Sequence, residues 1–123
     1  MKLQEYKVPS HLTVEKVRSI TAAVFGITPE AILIRRKKRV LTTPRQFGML
    51  ITHCLLAVKL KDTAKEWNLV NHATVLHGCR NAKNLYYSSP QFRRNADRVF
   101  TELGLQVQET RIMLELETME GRR

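Results

Sequence analysis

NHATVLHGCRNAKN, residues 71–84, is the stretch that decides the fold. Its pattern is that of a helix with a cap, a polar first turn and an apolar stripe. Asn71 suits the N-cap because its side-chain oxygen can accept a backbone N–H that the first turn leaves unpaired, so the helix is predicted to start near His72. Val75, Leu76, Cys79 and Ala82 recur at helical spacing and form the buried side. His72, Ala73, Thr74, His77 and Arg80 fall on or beside the open side, and such side chains suit contact with base edges and phosphates. An ordinary surface helix with a polar face would carry the same stretch, so its neighbours have to decide between the two.

Just upstream, Leu60 to Trp67 reads as a short helix with Leu60, Ala64 and Trp67 inward and Lys59, Lys61 and Lys65 outward. Asn68, Leu69 and Val70 leave a three-residue turn. Asn68 must take any left-handed position in it, at modest cost. A short helix, a tight turn and a capped helix with a polar first turn make the helix-turn-helix pattern. Further upstream, Arg35, Arg36, Lys37, Lys38 and Arg39 are consecutive. Five like charges repel one another and gain little from a helix, so they are predicted to form an exposed loop or arm. Such a run fits a solvated face or a targeting patch. It also fits a grip on a phosphate backbone or entry into a minor groove.

Between these segments Thr43, Pro44, Arg45 and Gln46 look like a helix start: Thr as cap, Pro at the first position, Gln closing a capping box. This helix is predicted to run to about Val58 through Phe47, Leu50, Ile51, Cys54 and Leu55, and to be central. Its first turn would offer Arg45, Gln46 and free N–H groups to an anion. Towards the N-terminus, Ser10 or Thr13 caps a helix with Val14, Val17, Ile20, Ala23 and Val24 on one side, ended by Gly26. Thr28 and Pro29 open a short second helix that buries Ala31, Ile32 and Leu33. Towards the C-terminus, Ser89 and Pro90 start a sixth helix lined by Phe92, Ala96, Val99, Phe100 and Leu103. Beyond Gly104, the residues Leu105, Ile112, Leu116 and Met119 suggest an extra amphipathic helix that packs on the domain or pairs with a partner chain.

The whole chain has 123 residues, enough for one core. It carries 21 Lys and Arg against 11 Asp and Glu, and the excess is uneven. Up to residue 94 there are 17 basic and 5 acidic side chains, whereas from residue 95 there are 4 and 6. A positive field of this kind favours a polyanion, most simply nucleic acid. An anionic membrane surface would want a basic amphipathic helix with large apolar residues opposite, and the basic run lacks that form. No stretch approaches the ~18 apolar residues of a membrane span, and the start MKLQEYKVPS lacks a signal-peptide core. Cys54 and Cys79 stand alone in apolar patterns and are expected to be free buried thiols in a reducing compartment. The expected location is cytoplasmic and nucleoid-associated.

Other chemistry finds little footing. His72 and His77 are five residues apart, about 140° around a helix, so they do not chelate one metal as an i, i+4 pair would. Asp62 and Glu66 alternate with Lys61 and Lys65 and look like surface pairs. GxSxG, paired catalytic acids and a Cys–His constellation are missing, as is GxxxxGK followed by Ser or Thr. No enzyme activity, metal, nucleotide or other cofactor is expected.

From Val14 to about Leu103 the chain resembles the C-terminal DNA-binding domain of the bacterial replication initiator DnaA. The resemblance rests on Gly26–Ile27 ahead of the short helix, the basic loop Arg35 to Arg39, the PRQ at Pro44 to Gln46, and NHATVLHGCR at Asn71 to Arg80, where the family reads close to DHTTVLHACR. It implies an all-α, six-helix bundle that reads the major groove with the helix-turn-helix and the neighbouring minor groove with the basic loop. By resemblance, Asn71, His72, Ala73 and Thr74 sit at base-reading positions and Lys37 at the minor-groove position. Arg45, Gln46, His53 and His77 sit at or near phosphate-contacting positions. Departures are Asn71 for Asp, Ala73 for Thr, Lys37 for Arg, and the turn WNLV in place of an aromatic, two glycines and a basic residue.

The combined expectation is a DNA-binding unit over residues 1–103 and an acidic amphipathic extension over 104–123. The expected partner is double-stranded DNA, with phosphates also held by Arg35, Arg36, Lys38, Arg39, Lys61 and Arg80. The rival reading is a protein-interaction module of the same fold, docking a partner or a second copy through residues 105–119, with weak DNA binding.

Overall fold

Four phenylalanines meet at the centre of the molecule. Phe47 lies 6.3, 5.5 and 5.4 Å, ring centre to ring centre, from Phe25, Phe92 and Phe100, separations at which aromatic pairs attract beyond their burial. A computed structural model of the chain describes residues 8–116. Around this cluster, and among the described residues, stand six helices and no strand: α1 (Val14–Val24), α2 (Arg39–Leu50), α3 (Leu60–Glu66), α4 (His72–Ser88), α5 (Pro90–Glu102) and α6 (Val107–Leu116). The architecture is the all-α helix-turn-helix bundle expected. None of these helices is long and apolar enough to cross a membrane.

Three caps fall where the residue types place them. Thr13, Asn71 and Ser89 accept from the backbone N–H of Lys16, Ala73 and Phe92 at the starts of α1, α4 and α5. Thr28 Oγ1 accepts from Ala31 N, but the short second helix is only a 3₁₀ turn, Ala31–Leu33, that buries Ile32. With i→i+3 bonds so few residues give one turn and no more.

Helix α2 departs from the prediction at both ends. It begins at Arg39 rather than after Thr43, so Arg39 leaves the loop and Pro44 lies inside the helix. The carbonyl of Lys38 anchors this earlier start by accepting from Leu41 N, Thr42 N and Thr42 Oγ1 at 2.8–2.9 Å. Pro44 then deprives only the carbonyl of Val40, and Val40 is exposed to water. At the far end the helix widens into a π-helical turn, Ile51–Leu55, instead of running to Val58. There Thr52 Oγ1 donates to Gly48 O (2.9 Å) and accepts from Trp67 Nε1 (3.0 Å). The far end of the indole lies against Gly48, where a Cβ would stand 2.1 Å from Trp67 Cη2. Trp67 is fully buried, with the Arg18 guanidinium 5.5 Å from its ring centre.

Cys54 and Cys79 are buried thiols outside any disulfide, as expected, and burial pushes the Cys79 thiol far above its ordinary value. At the C-terminal side α6 packs on α5 and the π turn. Leu105, ahead of the helix, and Thr110 and Leu114 within it are buried, while Ile112 is exposed, so Leu105 is inward as expected and Ile112 is not. Leu105 precedes the first turn of α6, and a seven-residue count from it has no helical meaning. The orientation of α6 is set by Arg111, which pairs with Asp97 of α5 at 2.7 Å and donates to the Tyr86 hydroxyl of α4. That hydroxyl donates in turn to Asp97, and burial together with the Asp97 bond pushes its pKa up. Met119, the last residue of the predicted stripe, lies outside the described residues.

Candidate nucleic-acid interface

The helix-turn-helix is α3, the turn from Trp67 to Val70, and α4. Asn68 has φ +59, the left-handed position assigned to it, and Leu69 N bonds back to Ala64 O at 2.7 Å. The chain therefore reverses sharply enough to send α4 across α3. Val70 is 84% exposed beside the cap, and Asn71, His72, Ala73 and Thr74 are all exposed. The cap bond, Ala73 N to Asn71 Oδ1 (2.7 Å), occupies the amide oxygen and leaves Nδ2 without a hydrogen bond among the described residues.

Helix α4 sits low against α2. At Gly78 a Cβ would stand 2.6 Å from Met49 Cε and 3.0 Å from Gln46 Cγ, so a larger residue there requires those two flexible side chains to shift. The basic loop lies on the same side. A cleft is walled by Arg35, Arg36, Lys37 and Arg39 on one flank and by Thr74, His77 and Asn81 of α4 on the other, with Gln46 and Met49 on its floor. Thr74, His77 and Asn81 are spaced three and four residues apart and share one face of α4. Asn81 carries the same spacing signal as the other two, although the sequence reading did not include it. Its Nδ2 donates to Gln46 Oε1 at 2.7 Å.

The loop is held by its backbone. Arg45 donates through Nη1 to Ile34 O and through Nη2 to Arg36 O (3.0 Å), and Asn68 Nδ2 donates to Leu33 O (3.0 Å). Arg36, Lys37 and Lys38 are exposed, and none of them has a side-chain hydrogen bond or ion pair among the described residues.

Several assigned residues stand elsewhere than expected. Arg45 is buried in the second turn of α2, because that helix starts at Arg39; its guanidinium supports the loop from beneath, and burial lowers its pKa. His53 is buried in the π turn, where its Nδ1–H donates to Val58 O (2.7 Å), so a phosphate contact by it is ruled out. Arg35 is exposed but donates through Nε to Asn68 O (2.7 Å) and through Nη2 to Asn68 Oδ1 (3.3 Å). Lys61 and Arg80 are exposed and lie outside the walls of the cleft. No three His, Cys, Asp or Glu side chains among the described residues come together as a metal site would need.

Comparison with known proteins gives a consistent set of similarities. The family described as bacterial DnaA protein helix-turn-helix matches residues 14–82, more than half of the chain. The chromosomal replication initiator protein DnaA of Treponema pallidum (strain Nichols) is 25% identical over 89 residues, 72% of this chain and 19% of that protein. Those of Nitrosospira multiformis and of Buchnera aphidicola are 29% and 26% identical over 84 residues, 68% of this chain and 18% of each relative. The chain thus spans about a fifth of the length of the curated relatives it matches.

Proposed function

The chain belongs to the bacterial DnaA helix-turn-helix family, and from that premise we propose that it binds double-stranded DNA sequence-specifically. The matched region is a helix-turn-helix, not a catalytic domain. In this reading Asn71, His72, Ala73 and Thr74 meet base edges in a major groove, while Lys37, flanked by Arg36 and Lys38, enters the neighbouring minor groove. Arg39, Gln46, His77, Lys61 and Arg80 hold phosphates, and Arg45 acts only through the loop it supports. The relatives are chromosomal replication initiators by name. The role proposed here is correspondingly in replication initiation or its control, by occupying or competing for initiator-type sites on the nucleoid.

The observation that carries this reading is the cleft itself, with the exposed cations Arg36, Lys37 and Arg39 on one wall and the polar face of α4 on the other. A second observation adds to it. Lys37, Lys38 and Arg39 crowd the N-terminus of α2, whose first turn has no acidic residue. The positive end of the helix dipole thus faces like charges, a situation a phosphate relieves. At Asn71 the amide nitrogen left unbonded by the cap favours a base that presents acceptors, guanine O6 and N7 or thymine O4.

The proposed boundary between the reading unit and the C-terminal extension stays after Leu103, where Gly104 turns the chain at φ +81. The rival docking-helix reading has less support, because α6 turns Leu105, Thr110 and Leu114 into the domain's own core.

Selection of duplexes from a random pool, followed by titration against salt, tests the proposal. About six neutralised phosphates should give a slope of log K against log salt near −5. A slope near zero would remove the electrostatic grip, and a selection that enriches no sequence would remove the specificity.

A further inference from the structure

We infer that Asn68 and Arg35 form a clasp that fixes the basic loop to the helix-turn-helix turn, so that loop and reading helix meet DNA as one preassembled unit. The inference rests on the DNA-binding reading above and assigns positioning roles to two residues not known to read anything. Asn68 stands at φ +59, where glycine fits without cost and asparagine at some cost. On backbone grounds alone glycine is the better residue. What glycine lacks is the amide, and the amide reaches the loop twice: Nδ2 donates to Leu33 O (3.0 Å) and Oδ1 accepts from Arg35 Nη2 (3.3 Å). The carbonyl of Asn68 accepts a further bond from Arg35 Nε (2.7 Å), across 33 residues of sequence.

Arg35 is the one member of the basic run turned back onto the protein in this way. Its planar fork meets a backbone carbonyl and an amide oxygen together, which the single ammonium of lysine does not reproduce. Arg45 holds the same loop from the other side through the carbonyls of Ile34 and Arg36. The carbonyls of residues 33, 34 and 36 are therefore all tied down, while the side chains of Arg36, Lys37 and Lys38 stay available. A loop ordered before it meets DNA does not lose that freedom on binding, and its cations arrive at a set distance from Thr74 and His77.

The test uses the full chain with Asn68→Gly, which keeps the left-handed backbone, Arg35→Lys, which keeps the charge, and the double variant. In the free protein, hydrogen exchange at the bonded amides of Leu33, Ile34 and Arg36 should speed up about tenfold in either single variant as the loop opens locally. Affinity for the selected duplex should fall about tenfold, with less than about a twofold loss on random duplex, and the salt slope of Arg35→Lys should match the wild type. Because both changes break one device, the loss in the double variant should fall well short of the product of the single losses.

Unchanged exchange, or single losses that multiply in the double variant, would overturn the clasp while leaving wild-type DNA binding intact. A wild type that prefers no duplex over another is a different failure: it defeats the DNA-binding reading, and the clasp's part in recognition with it.

Discussion

Two regions of this protein carry arginine and treat its charge in opposite ways. Where α4, α5 and α6 meet, Arg111, Asp97 and the Tyr86 hydroxyl are bonded to one another, and Arg93 closes the group by donating to Tyr86 O at 3.1 Å. In the basic loop the backbone is held, but Arg36, Lys37 and Lys38 face solvent with no partner among the described residues. The first region answers its charges internally and joins three helices. The second leaves a positive field unanswered, at some cost in repulsion, and that separates charge kept for a partner from charge kept for the fold. Arg35 within the loop and Arg45 beneath it show that the division is not one of residue type, since both carry the same charge as Arg36 and Lys37 yet serve the loop's geometry.

Replacing Arg45 by Ala should break the comparison most severely. It strips a charged donor from Ile34 O and Arg36 O in a partly buried place and should cost about 2–3 kcal/mol in urea denaturation, with DNA affinity of the folded protein falling as well. Unchanged stability would move Arg45 to the open class. Asp97→Ala should be next. The two side chains of the Arg111–Asp97 pair are 40% and 24% exposed, so solvent screening limits the stability loss to about 1–2 kcal/mol. Affinity of the folded protein for DNA should stay at the wild-type value, and a fall in it would show that the corner also shapes the interface. Lys37→Ala should do the reverse and have the smallest effect on the fold. Stability should remain within about 0.5 kcal/mol of wild type, while the magnitude of the salt slope drops by about 1. A stability loss comparable to that of Asp97→Ala would erase the distinction.

Much of the architecture was legible in the sequence, because it is written in local chemistry. Asn71 and Ser89 cap where a side-chain oxygen is needed, Asn68 takes the left-handed residue of the turn, and Val75, Cys79 and Ala82 fall on the inner side of α4. The reading failed where a competing local bond or a distant partner overrides the favoured pattern. Thr43–Pro44 is a strong helix start in isolation, yet the Lys38 carbonyl, bonded by Thr42 and Leu41, begins α2 one turn earlier. That shift carries Arg45 beneath the loop, so the site's largest correction is a displacement of helix origin. The π turn depends on Thr52 meeting Trp67 from another helix, and no spacing rule marks such an encounter. Likewise the inner face of α6 is chosen by Arg111 reaching Asp97, not by the intervals between its apolar residues.

At position 78 the side chain is a single hydrogen, and side chains of α2 fill the space this leaves. Gln46 packs there and also bonds Asn81, one turn further along. A methyl at 78 would press on Met49 Cε and Gln46 Cγ, both free to swing, so Gly78→Ala should unsettle the Gln46–Asn81 bond before it moves α4 from the loop.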